Sequence, residues 1–386
     1  MPRHPRLAPA LDHLTGSLFS ELSSRIAGLQ GEVFALHVGD SWLEPPPGAR
    51  TEDIRHAEHG GLNRYAQPQG HPRLLDALQE TYGVERARLL VTTGATGALG
   101  AICSALVSPG DEVLICAPYW PLIKGVVRTC RGVPRELDLY LELDRDLPPA
   151  EARRAVADRV ASAITDRTVA IYVNSPNNPT GMVLREAELL GLVDAARAHD
   201  LWIWSDAVYE HHAYARPDVP LRELAPERTF EVHSFSKAWA MAGNRCGFFI
   251  GPQDPHHTAQ VRKISTHTFY SAPTVSQLAG AEVLERGADW LQACRTAYQV
   301  AGDRAAERLG VAPPEGGTFL FLDVAEHLDE RGLRGFLIDC IDRNLVIVPG
   351  TSCGASYGTF VRLCFTGARP DVVLRGVEVL AGLLGR

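Results

Sequence analysis

From about residue 88 the chain alternates short, almost wholly apolar runs with segments whose apolar residues recur at helical spacing. The run at 89–91 leads into Thr92-Thr-Gly-Ala-Thr96, after which Leu99, Ile102, Cys103 and Leu106 fall on one side of a helix. The run at 112–116 repeats the pattern, and 169–173, 201–204, 229–233 and 246–250 are further predicted strands. Strands this uniformly apolar are covered on both faces, so the pattern predicts a three-layer, doubly wound, mostly parallel α/β sheet. After about residue 285 the texture changes. A helix is followed by a turn at 313–317, a strand at 318–323, a helix near 333–343 and a strand at 345–349, which predicts a smaller α+β domain.

A chain of 386 residues exceeds the roughly 250–300 at which single cores stop growing. The expected division is an N-terminal arm and part of the small domain at 1–48, a large domain at 49–285 and a C-terminal small domain at 286–386. Pro45-Pro-Pro47 marks the first boundary. A formal charge of -8 argues against a broad nucleic-acid surface and leaves small-molecule chemistry. No apolar run approaches the ~18–20 residues that cross a bilayer, and Met1-Pro-Arg-His-Pro lacks the hydrophobic stretch of a secretory signal, so a cytoplasmic chain is expected. The eight cysteines form no Cys-x-x-Cys pair and are expected to be reduced packing residues. The pairs His211-His212 and His256-His257 lack ligand spacing, so no metal is expected.

In an open α/β sheet, ligands sit beyond the carboxyl ends of the strands. The candidate chemistry falls there. Ser234-Phe-Ser236-Lys237 follows a predicted strand and runs on to Arg245 and Gly247, a serine, arginine and glycine frame that suits a phosphate beside an amine. Gly94-Ala95-Thr96 opens a helix whose free N–H groups suit the same dianion. Asp206 ends a strand too apolar to solvate it, so it is either a turn residue or the partner of a buried cation, with Tyr209 one turn further on. Asn178 precedes Pro179 in a turn that either only reverses the chain or aims an amide at a ligand. Trp120 is a core aromatic or a stacking platform, and Tyr119 beside it competes for that place. Arg362 interrupts an apolar β-type run and needs a carboxylate, internal or from a substrate.

Together these features resemble the class I/II aminotransferases of the fold-type I pyridoxal-phosphate enzymes, from about Leu36 to Phe365. The resemblance implies a pyridoxal 5'-phosphate Schiff base on Lys237, with Asp206 on the pyridine nitrogen and Asn178 and Tyr209 on the ring hydroxyl. It implies phosphate binding by Ala95, Thr96, Ser234 and Arg245, with Ser236 adding a hydroxyl, a stacking role for Trp120, and a grip on the substrate carboxylate by Arg362. The run from Tyr65 to Gly70 resembles a segment whose tyrosine reaches the phosphate of a neighbouring subunit, and Val38-Gly39 resembles a stretch that closes over substrate. The implied activity is ping-pong transfer of an amino group from an L-amino acid to a 2-oxo acid in a homodimer with shared sites. His267 stands near the place where aspartate-type members carry an arginine, which points to a broad or aromatic-leaning donor range.

Three alternatives share some of these residues. A β- or γ-eliminating lyase would use the same Lys237, Asp206 and Arg362. Thr93-Gly-Ala-Thr-Gly-Ala-Leu-Gly100 resembles a glycine-rich NAD(P) loop, although some ninety residues precede it and no Tyr-x-x-x-Lys pair follows. A non-catalytic sensor could also be built on the same fold.

Overall fold

The computed structural model describes Leu11, Leu14 and residues 21–386. The Met1-Pro-Arg-His-Pro stretch and most of the first twenty residues of the expected arm lie outside the described residues. Twelve strands are described: β1 Phe34–Ala35, β2 Leu89–Thr92, β3 Glu112–Ala117, β4 Val133–Asp138, β5 Thr168–Asn174, β6 Trp202–Asp206, β7 Thr229–Ser234, β8 Gly247–Ile250, β9 Phe319–Asp323, β10 Leu345–Val346, β11 Val348–Pro349 and β12 Phe360–Cys364.

The large sheet has the order β2-β8-β7-β6-β5-β3-β4. All its neighbours run parallel except β8, which is antiparallel to both β2 and β7. β2, β3 and β8 are buried along their whole length, and β5, β6 and β7 nearly so, because helices cover both faces. Leu99 and Ile102 of the helix Gly94–Leu106 pack with Tyr172, Trp204 and Phe230 on one face. On the other face, Leu74 and Leu78 pack with Phe248, and Leu189 and Leu192 with Ile171 and Ile203. This is the doubly wound, mostly parallel arrangement expected from the apolar runs.

A separate core joins Leu22 and Leu36 to Phe336, Leu337, Leu363, Phe365, Val373 and Val377. Two elements depart from expectation. The run 345–349 is not one strand: β10 pairs parallel with β1, β11 pairs antiparallel with β12, and buried Ile347 lies between them. Two partners on different sheets pull the two halves apart. β4 was not expected, since Val133-Pro-Arg-Glu-Leu-Asp138 has no apolar run. It lies at the sheet edge, where a proline and exposed side chains are tolerated. All eight cysteines are free thiols and seven are buried, as their apolar settings implied. No helix among the described residues is long and apolar enough to cross a membrane.

Candidate active site

The carboxyl ends of β5, β6 and β7, the start of the helix Gly94–Leu106 and the 37–39 segment enclose a cavity of about 620 Å³. Gly39, Ala95, Thr96, Trp120, Asn178, Asp206, Tyr209, Ser234, Ser236, Lys237, Arg245 and Arg362 all line it. Parallel strands place Asp206, Ser234 and the segments after them side by side, and the 37–39 segment and β12 of the small domain add Gly39 and Arg362 from more than three hundred residues apart in sequence.

Asp206 ends β6 and is 4% exposed. Its Oδ2 accepts a hydrogen bond from Tyr172 OH at 2.5 Å, whereas Oδ1 is buried without a well-formed hydrogen bond, with the Val208 backbone N–H the nearest backbone donor to the carboxylate. Burial pushes the carboxyl up to about 6, against the Tyr172 hydrogen bond and the positive charges of His233 and Lys237. An unpaired buried carboxylate oxygen is costly and marks a place for a cationic donor. Asn174 ties this end of the sheet together, since its Nδ2 donates to the Asp206 carbonyl at 2.7 Å and its Oδ1 accepts from the Asn178 backbone N–H at 2.7 Å.

Lys237 lies in the short helix Phe235–Ala238 directly after β7, and its Nζ donates to the Gly39 carbonyl. Burial lowers its pKa. Gly39 allows this approach because a Cβ there would come within 2.6 Å of the Phe319 ring. Tyr209 is 2% exposed, stands edge-on to Phe319, and has its phenol pKa raised by burial.

On the same cavity the helix Gly94–Leu106 begins with no side-chain cap from Thr93, so its first N–H groups have no side-chain acceptor there. Gly94 has φ +75°, and a Cβ there would meet Arg245 Nη2 at 2.7 Å. The guanidinium is thus seated against the helix start, with Ser234 and Ser236 beside it. The Ser234 hydroxyl accepts from the Ser236 backbone N–H at 3.1 Å.

Arg362, on β12 of the small domain, is 6% exposed. It donates from Nη1 to Asn178 Oδ1 and from Nη2 to the His37 carbonyl, each at 2.9 Å, and lies 4.4 Å over the Phe319 ring. Its buried Nε has no hydrogen-bond partner. All of these acceptors are neutral, so the internal salt bridge left open by the sequence is not what Arg362 makes here.

The two neighbouring aromatics differ in placement. Tyr119 is 1% exposed and turns away to donate its hydroxyl to Glu136 at 2.8 Å, whereas Trp120 lines the cavity. Two residues singled out in sequence lie outside this chain's cavity. Tyr65 is 91% exposed and packs on Tyr270 with ring centroids 5.2 Å apart. His267 is on the exposed side of the helix Pro255–Thr268, its Nδ1 bonded to the Lys263 carbonyl at 2.7 Å. Tyr172, Asn174, His37 and Phe319 were missed. Only Tyr172 carried a signal, a phenol inside an otherwise apolar strand covered on both faces.

The sequence matches the family "Aminotransferase class I and II" over residues 32–380. The chain belongs to this family. It is 31% identical over 369 residues to an aspartate/prephenate aminotransferase of Thermus thermophilus, with 92% of each chain covered. It is 30% identical over 375 residues to an arginine–pyruvate transaminase of Pseudomonas aeruginosa, again with 92% of each covered. The solved Thermus thermophilus aspartate aminotransferase with maleate superimposes with a TM-score of 0.87 at 29% identity, covering 98% of this chain and all of that one. The aminotransferase fold seen here is therefore fold type I, and its chemistry is amino-group transfer, with elimination not favoured.

Proposed function

We propose that this aminotransferase holds pyridoxal 5'-phosphate in the cavity described above and takes aromatic or aliphatic L-amino acids as donors. The observation that carries the cofactor assignment is the orphaned Oδ1 of buried Asp206, in the same cavity as an uncapped helix start and an arginine. A pyridinium N–H is a donor of the required charge, and a phosphate dianion fits the N–H groups of Ala95 and Thr96 with Ser234, Ser236 and Arg245. When bound, the cofactor supplies an aldehyde for amine exchange and a protonated ring that stores the electron pair left by the departing α-proton.

The chain's own residues do the rest. Arg362 binds the substrate α-carboxylate through its fork, with Asn178 holding the fork in plane. Lys237, whose Nζ donates to the Gly39 carbonyl and whose pKa is lowered by burial, would be the base that takes and moves the α-proton. Asp206 would hold the proton of the ring nitrogen, Tyr209 would donate to the ring hydroxyl, and Trp120 would cover the ring. Donor and acceptor then react in alternate half-reactions, which predicts ping-pong kinetics.

The donor class rests on the remaining walls. Val38, Leu99, Pro121, Leu122 and Val348 line the cavity, and its charged side chains, Asp206, Lys237, Arg245 and Arg362, are already assigned. His37 also lines it, with its pKa lowered by burial and by Arg362, so it stays neutral at pH 7. A side-chain carboxylate entering there would lose its hydration without gaining a cation from this chain. Burying an aromatic side chain is worth about 1.5–3 kcal/mol, so phenylalanine or tyrosine is expected to exceed aspartate in kcat/KM by about tenfold or more. A panel of donors with one 2-oxo acid tests this, and aspartate or glutamate as sole donor would remove it.

We further propose a cytoplasmic homodimer with shared sites. The exposed Tyr65–Tyr270 pair and Leu122, 60% exposed beside the cavity, supply apolar surface for a second copy. Arg362→Lys separates binding from chemistry. Loss of the bidentate fork is expected to raise KM for the amino donor by about 10–100-fold, in line with a charge-assisted hydrogen bond of about 1.5–3 kcal/mol. The visible absorbance of bound cofactor should stay unchanged. An unaltered KM would show that the carboxylate binds elsewhere.

A further inference from the structure

Behind the cavity, on the opposite face of the large sheet, lies a buried ionic cluster that none of the assigned roles uses. His233 on β7 is 1% exposed and is stacked on Phe248 at 4.6 Å with the rings 10° apart. Its Nδ1 lies 2.8 Å from Glu210 Oε1, and its Nε2 lies 3.2 Å from Oε1 of Glu231, itself 1% exposed. Arg222 pairs with Glu231 and lies 5.5 Å over the Tyr82 ring, and Tyr82 OH donates to Glu210 Oε1 at 2.7 Å. His211 Nε2 is 3.5 Å from the same Glu210 oxygen, and the carboxyl of Asp218, pushed up to about 8 by burial and then by Glu210 and Glu231, borders the group. Burial works against a charged His233, yet Glu210 and Glu231 push it up to about 9, so it is an imidazolium at neutral pH.

The placement is what matters. Glu210 directly follows Tyr209, and His233 directly precedes Ser234, with Lys237 one helical turn further on. Successive strand residues point to opposite faces, so His233 faces the cluster while Ser234 faces the cavity. The backbone between them is held by the Ala207 N–H bonded to the Val232 carbonyl at 2.9 Å. We propose that Glu210 and His233 are positioning residues whose ion pair fastens the segment carrying Tyr209 to the strand end carrying Ser234 and Lys237. The pair sets the spacing between the donor to the ring hydroxyl and the phosphate and Schiff-base residues, and it places a positive charge behind Asp206. The proposal rests on the assignment of pyridoxal phosphate to the cavity.

The four groups in direct contact are balanced, Glu210 and Glu231 against His233 and Arg222, with Arg88 in range of Glu231 and unchanged in every variant, which allows positioning to be separated from stability. His233→Gln and Glu210→Gln each leave an unmatched buried charge and are expected to lower Tm. The double variant restores the balance and is expected to recover most of that Tm. In all three, the dissociation constant of added pyridoxal phosphate should rise about tenfold or more, the worth of one charge-assisted hydrogen bond. The pH midpoint of the visible band of cofactor bound to Lys237 should move by about half a unit or more. If affinity and midpoint return to wild-type values in the double variant together with Tm, the cluster is only structural and the proposal is overturned. Tyr82→Phe keeps every charge and deletes one hydroxyl, so it reports even if the charged variants do not fold. A smaller shift in the same direction supports the proposal, and an unmoved midpoint overturns it. No visible band in the wild type would remove the cofactor assignment and this proposal with it, whereas a wild-type band with unmoved variants overturns the proposal alone.

Discussion

Lys237→Ala is expected to leave a folded protein whose turnover of every amino donor falls by about 10²–10⁴-fold, the range for loss of a positioned proton-transfer group. The two effects separate because of how the lysine is held. Its ammonium donates to a neutral carbonyl, that of Gly39, and burial disfavours its charged form. Removing it takes away a cation that the fold accommodates at a cost, so Tm should stay level or rise. The same change removes the amine that ties down the cofactor aldehyde and moves the α-proton. Single-turnover absorbance with one donor, beside thermal denaturation, checks both halves. Activity within about tenfold of wild type would assign the proton transfer to another group.

Asn at position 206 is expected to act in opposite directions on stability and on catalysis. The Asp206 carboxyl titrates at about 6 in the cofactor-free fold, above its ordinary 3.8. Between those two values the folded chain keeps a proton that the unfolded chain has released. Stability therefore falls as pH rises through this window, and the loss is complete above about pH 6. The stability lost across this window is on the order of 3 kcal/mol. The neutral amide removes that slope, so cofactor-free Asp206→Asn should be more stable than wild type at pH 7.5 and closer to it at pH 4.5. In the presence of cofactor the order reverses. The ring nitrogen would lose its anionic partner, and breaking a buried charged pair costs about 3–5 kcal/mol, or roughly 10²–10⁴-fold in kcat/KM. Urea denaturation at the two pH values and steady-state rates read both effects. A variant less stable than wild type at pH 7.5, or one that retains its rate, would contradict this role for Asp206.

Much of this site could be read from local sequence. Lys237 and Asp206 are recognisable because each lies at or just beyond the end of a largely apolar run, Arg245 because it shares a serine and glycine frame with Lys237, and an α/β sheet collects strand ends along one edge. Gly94 and the helix after it are legible for the same local reason, since turn and helix-start chemistry act over a few residues. The parallel sheet itself follows from runs apolar on both faces. Family resemblance adds the roles, which the residue types alone left open between turn, core and ligand contact for Asn178, Asp206 and Trp120.

Other features are set by contacts between distant segments. The reversal of β8 against its neighbours, the splitting of 345–349 between two sheets and the edge strand at Val133–Asp138 depend on which strand is available to pair, and no local pattern encodes that. Tyr119 turns outward because Glu136 lies within reach of its hydroxyl, and that leaves Trp120 on the cavity wall. Arg362 acquires neutral partners from His37 and Asn178, more than 180 residues away. The His233–Glu210 pair likewise exists only once β7 lies against β6. Sequence by itself determined the elements, the class of sheet and the reactive groups at strand ends, because periodicity and turn chemistry are short-range. Tertiary structure alone decided strand order, the partners of buried charges and the orientation of each aromatic, because these energies arise only when remote segments exclude water together.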